Sequence, residues 1–225
     1  MTDMQTTALT DSCVFSLVSE YWPQLHVPDT DAHREAVTWV SKWGMAAVTA
    51  GVAFWTLQVA GAIKLNLTHT KRFGLLPVTH VEVSRTGDGA ASGLEGAILE
   101  HLTGKNDHVH EIVSRVIERN SKNPGGALLV KAQADAEQQG YHSWDEGETR
   151  GHAVTQALLG NKGAHWQPNA TRIVELSERY DTIVQQFGRF LADQGDLATE
   201  LLHQARTGID SREESDTDSG PDFND

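Results

Sequence analysis

The chain carries eleven histidines, and histidine is the residue that most often binds a transition metal. His108 and His110 stand two apart, a spacing that puts them on different faces of a helix. No H-E-x-x-H run exists, and the single cysteine, Cys13, has no second thiolate to complete a zinc site. The spacing therefore points to histidines on helix surfaces, with neither a metal nor a cofactor. Asp107 and Glu111 are four apart and share a helical face, where carboxylates usually meet solvent. Cys13, in Ser12-Cys13-Val14-Phe15, reads as a small packed hydrophobe. There is no G-x-G-x-x-G or G-x-x-x-x-G-K-[ST] phosphate loop and no G-x-S-x-G elbow. Without a nucleophile–base pair, no catalytic residue is assigned, and a non-enzymatic chain is expected.

One stretch has chemistry of another kind. Lys71 and Arg72 stand beside Phe73, Leu75 and Leu76. A cation near an anionic membrane gains about 1 kcal/mol from the headgroup field. Apolar neighbours can enter the boundary between headgroups and acyl chains. These five residues form the candidate lipid-binding site. The competing readings are a tip folded back on the body and a contact between copies of the chain.

The elements that present this stretch follow from periodicity. Ile63, Leu65 and Leu67 alternate with Lys64, Asn66 and Thr68, and Val81 and Val83 alternate with His80, Glu82 and Ser84. That period of two predicts a hairpin over about 62–69 and 78–85. Before it, Asp29, Thr30 and Asp31 offer caps for a helical tract over about 32–60, with a break at Gly44 or Gly51. After it, Leu94 to Leu102 predicts an amphipathic helix ended by Gly104. Asp107 is expected to cap a helix carried by Val109, Ile112, Val113 and Val116. A further helix ends at Gly140 as a C′ glycine, and 141–144 reads as a short strand. His152 to Leu159 predicts another short helix. Pro168-Asn169 starts a final helix from Ile173 to Leu191 that continues toward Leu202. The expected organisation is a loose 1–12, one mainly α domain over 13–207, and an acidic disordered tail over 208–225.

Composition narrows the function. A net charge of −13 over 225 residues argues against general nucleic-acid binding, whose affinity comes from neutralising phosphates. Seven acids fall between Asp210 and Asp225 against one base, Arg212, so the body is less acidic than the total. The run from Trp43 to Ile63 has no charge and is long enough to cross a bilayer. Its glycines, threonines and alanines equally describe a fully buried core helix. The lone cysteine and the polar start at Met1–Asp11 fit a cytoplasmic protein.

The succession of pieces resembles the Golgi phosphoprotein family of phosphatidylinositol 4-phosphate effectors. The likeness runs through Val59-Ala60-Gly61-Ala62-Ile63-Lys64-Leu65, the tip Lys71-Arg72-Phe73-Gly74-Leu75-Leu76, Thr86-Gly87-Asp88 and Leu94-Glu95-Gly96-Ala97-Ile98-Leu99. Gly140 and the helix start at Pro168-Asn169-Ala170-Thr171-Arg172 extend it, so it covers roughly 47–187. The resemblance implies a helical domain with a projecting hairpin, no catalysis, and peripheral attachment to anionic phospholipid. The family has arginine where this chain has Ala62, proline where it has Arg85, and arginines in the helix where it offers Lys131. Headgroup specificity is therefore in question. The alternative function is a winged-helix-like module for protein contacts or regulation, without lipid.

Overall fold

The computed structural model describes residues 8–25, 27–72, 76–87, 89, 91–104, 107–118, 121–144 and 166–217. It is mainly α with a small antiparallel sheet. In chain order the elements are α1 (Asp11–Leu25), α2 (Asp31–Trp43), α3 (Met45–Val59), β1 (Ile63–Arg72), β2 (Leu76–Arg85), α4 (Gly93–Glu100), β3 (Asp107–His108) and α5 (Val109–Val116). They continue as α6 (Pro124–Ala132), α7 (Ala134–Gln138), β4 (His142–Trp144), β5 (Trp166–Pro168), α8 (Ala170–Val174), α9 (Ser177–Asp193) and α10 (Gly195–Thr217).

The expected helical tract is two helices. Thr30 caps α2 by accepting the His33 amide, and Gly44, at φ 86°, ends it. An L-residue would be strained at that φ. Gly51 stays inside α3, where any side chain would collide: a Cβ there would lie 2.6 Å from Leu202 of α10. The α3 helix has no charged residue, and Val48, Ala50, Val52, Ala53 and Phe54 are fully buried. It packs against α1, α2, α4, α6 and α10. Trp43–Ile63 therefore does not form a membrane span. Fifteen residues of helix cover about 22 Å at 1.5 Å per residue, short of a hydrocarbon core of about 30 Å. Among the described residues no helix is long and apolar enough to cross a membrane.

In the smaller, two-stranded sheet β4 pairs antiparallel with β5. The larger sheet has strand order β1-β2-β3. Its hairpin is longer than expected, pairing Ile63 with Arg85 at the base and Arg72 with Leu76 at the far end. The base is clasped. Thr86 and Gly87 amides both donate to the Ala62 carbonyl, and the Thr86 hydroxyl donates to Gly61 O at 2.8 Å. Gly61 itself sits at φ 70°. Asp88, the last residue of the Thr-Gly-Asp run, lies outside the described residues, as does the helix expected over His152–Leu159.

Four expectations are corrected. The N-terminal segment expected to be loose is ordered before residue 12: Leu9 is buried, its carbonyl accepts from Arg179, and α1 starts at Asp11. Asp107 does not cap α5; it begins β3, and α5 has no side-chain cap. The last helix is three, α8 to α10, with breaks around Glu175 and Gln194. Finally, α10 continues through Gly208 to Thr217, ten residues into the expected tail, while 218–225 lie outside the described residues.

The reason for the last correction is helix packing. Ala205, Gly208 and Ile209 are buried, and Arg212 donates to Ser114 O of α5 at 2.7 Å. A Cβ on Gly208 would sit 2.5 Å from His110 O and 2.9 Å from Val113 Cβ. The missing side chain lets α10 and α5 approach closely. Gly208→Ala should therefore cost about 1–3 kcal/mol, the usual range for overpacking a tight contact. Gly195→Ala, with nothing within 4 Å of its Cβ, should cost nothing. Urea denaturation midpoints of the two variants check the contrast.

Candidate functional site

The hairpin leaves the core as it rises. Ile63 and Leu65 are buried, Leu67 and Thr68 are half-buried, and His69, Thr70 and Lys71 are exposed. On the return strand Val78, Thr79 and His80 are half-buried, and Val81 and Val83 are buried. Of the five sequence-derived site residues, Lys71 stands exposed opposite Pro77, and Arg72 and Leu76 close the ladder as its last pair. Phe73 and Leu75 fall in the connection between the strands, outside the described residues.

The position where the resemblance would call for an arginine, Ala62, is 4% exposed and gives its carbonyl to the clasp. Lys131 lies half-buried in α6. Arg172 is occupied at the end of α7, where its guanidinium covers the Tyr141 ring at 4.9 Å and donates to Gln139 O.

A second constellation forms where β2, β3 and α5 meet. His108 pairs with Glu82 across β2–β3, so His80 and His108 are diagonal neighbours on one sheet face. Their ring centroids are 4.8 Å apart, and His110 joins at 5.9 Å from His108 and 6.3 Å from His80. All three are half-buried, and His108 Nδ1 is buried with no hydrogen-bond partner. Burial holds the His110 imidazole below its usual value, reinforced by the charges of His108 and His80 and opposed by Glu111 and Gln204. The sequence spacing of His108 and His110 suggested separate faces because both were read as helical; β3 ends between them. His80 was not singled out, being 28 positions away and joined only by strand pairing. Among the described residues no group of three or more His, Cys, Asp or Glu is placed to hold a metal ion.

The carboxylates expected on a solvated face are also reassigned. Asp107 is 2% exposed; it accepts from Arg115 at 2.8 Å and from the Thr103 amide and hydroxyl. Burial alone would raise its pKa, but the hydrogen bonds from Arg115 and Thr103 together hold it below the ordinary aspartate value. Arg115 also bonds Glu111 at 3.0 Å and the His101 carbonyl. Arg115 is thus committed to two acids.

A cleft of about 160 Å³ opens between α1, α2 and α9, lined by Ser19, His33, Val37, Val40, Met45 and Tyr180. Ser19 and Tyr180 hydroxyls bond each other at 3.1 Å, and His33 stacks on Trp22 at 4.1 Å. These contacts read as aromatic packing with satisfied hydroxyls. Cys13 is buried, which pushes its thiol up to about 12, so it is a packed side chain and not a thiolate.

Arg115→Met should destabilise the protein by about 2 kcal/mol at pH 7. That lies between the loss of a buried pair and that of an exposed one, because Arg115 is a third exposed. A folded-state pKa held below the unfolded one stabilises above the ordinary value of 3.8 and loses that stabilisation as pH falls through the folded value. The gap between wild type and variant should therefore shrink below about pH 4, as followed by thermal unfolding across pH.

No family model, curated protein or solved structure matches this chain.

Proposed function

We propose that this protein is a non-enzymatic peripheral membrane protein that docks on anionic phospholipid surfaces through the tip of the β1–β2 hairpin. The observation that carries this reading is the position of Lys71. Ten-residue strands reach roughly 30 Å at about 3.4 Å per residue, and the core covers only the near part of them. The basic pair therefore stands at the end of a ribbon, away from an acidic body. Lys71 and Arg72 supply attraction to phosphates, and Phe73, Leu75 and Leu76 supply apolar insertion. The net charge of −13 makes long-range attraction poor, so binding depends on this local patch.

The resemblance to the Golgi phosphoprotein family supports the same reading for the same segment. The buried alanine at 62 argues for recognition of anionic surfaces in general over phosphatidylinositol 4-phosphate in particular. The ion-paired Arg115 makes a nucleic-acid-binding regulator the weaker alternative.

Vesicle flotation with and without phosphatidylinositol 4-phosphate tests the reading. Wild type should float with anionic vesicles and show no phosphoinositide preference. Lys71→Glu with Arg72→Glu should abolish flotation at physiological salt, where the Debye length is about 8 Å. Phe73→Ser with Leu75→Ser should weaken it and leave its salt dependence intact. Both double variants should keep the wild-type circular dichroism, since Lys71 is exposed. A wild type that ignores every anionic vesicle overturns the proposal and favours a contact between protein chains.

A further inference from the structure

The histidine cluster is not used by the proposed docking surface, and its placement is unusual. It joins three elements at the root of the hairpin: β2 through His80, β3 through His108 and the first turn of α5 through His110. The β3 strand is two residues long and pairs only with Glu82 and Val83, so little backbone bonding holds it in place. What holds this junction is side-chain packing, including three imidazoles with centroids 4.8–6.3 Å apart. Neutral rings stack at such distances. Rings that each carry a proton repel, and desolvation adds to the cost.

We propose that His80, His108 and His110 form a proton-sensitive latch that holds β3 and the first turn of α5 against β2 when neutral and loosens that junction when charged.

The surrounding charges do not remove the repulsion. On β2, Glu82 lies opposite His108 in the ladder. On β3, Asp107 is committed to Arg115 and Thr103. On α5, Glu111 attracts His110 but is shared with Arg115. On α10, Gln204 favours the protonated form of His110 and donates to Glu200, which also has His203 within 4.0 Å. Arg206 faces Asp210 on the same helix. Burial outweighs Glu111, so His110 prefers to be neutral in the folded protein.

The sign follows. A histidine held below its unfolded value of 6.5 contributes stability above that pH and loses it as pH falls through the folded value. The junction should be tight at pH 7.5 and loosened below about pH 6.

The test uses the full chain in buffer containing EDTA, which excludes a metal effect. Imidazole C–H signals are followed by NMR from pH 8 to 5, and amide exchange of residues 107–116 is compared at pH 7.5 and 5.5 after correction for intrinsic rates. The His110 midpoint should lie below that of the urea-unfolded chain. His80→Gln should move it upward, since one neighbouring charge is gone. Protection of residues 107–116 should drop from pH 7.5 to pH 5.5 in wild type, the direction set by a His110 pKa held below its unfolded value. The drop should be smaller in His80→Gln. A second variant, His108→Gln, should repeat both effects, so misfolding of either one does not remove the test. Titration of His110 at its unfolded midpoint, or equal loss of protection in wild type and both variants, would overturn the latch.

Discussion

Burial of α3 is the constraint on which the rest depends. Fifteen residues without a charge are buried through the middle of the helix, from Ala47 to Trp55, and each fully buried large apolar side chain contributes about 1.5–3 kcal/mol. Five helices surround α3, and small residues let them come close. Gly51 admits Leu202 of α10. The long polar side chain of α3, Gln58, sits at its end, where Oε1 accepts the Leu65 amide at 3.0 Å. The core helix therefore fixes where the hairpin starts. Ala62 donates back to Leu57 O and accepts from Thr86 and Gly87, so the hairpin is clamped at the base.

Buried polar groups then orient the layers around α3. Glu95 of α4 accepts the Ser12 amide at 3.1 Å and the Ser12 hydroxyl at 2.7 Å, tying α4 to α1, and burial pushes its carboxyl pKa up. Arg179 of α9 donates to Leu9 O and Asp11. Arg115 and Asp107 lock β3 to α5. Each is a directional contact whose loss would leave a buried group unsatisfied, so each selects one packing among those the hydrophobic surfaces alone would allow.

The hairpin and the histidine cluster show two ways in which the same sheet presents chemistry. At the far end, exposure keeps Lys71 solvated and able to act at a distance of a few ångströms. At the root, partial burial brings three imidazole rings together and holds the His110 pKa down. The proposed proton response belongs to the covered end, and the proposed docking on surfaces to the uncovered end.

The sequence by itself determined the element types near α3. A cap among Asp29, Thr30 and Asp31, a glycine break at 44 or 51 and the period-two alternation over 63–67 and 80–84 are local signals, because they rest on hydrogen bonds and side-chain directions within a few residues. It also marked Lys71 and Arg72 at a tip. Tertiary structure alone decided the rest. The tract 208–217 is acidic and looks soluble, yet Ile209 and Gly208 find α5 as a partner. Asp107 looked like a cap until Arg115 and β2 claimed it. His80 meets His108 and His110 only through strand pairing across 28 residues. Those outcomes depend on contacts distant in the chain, and local periodicity does not contain them.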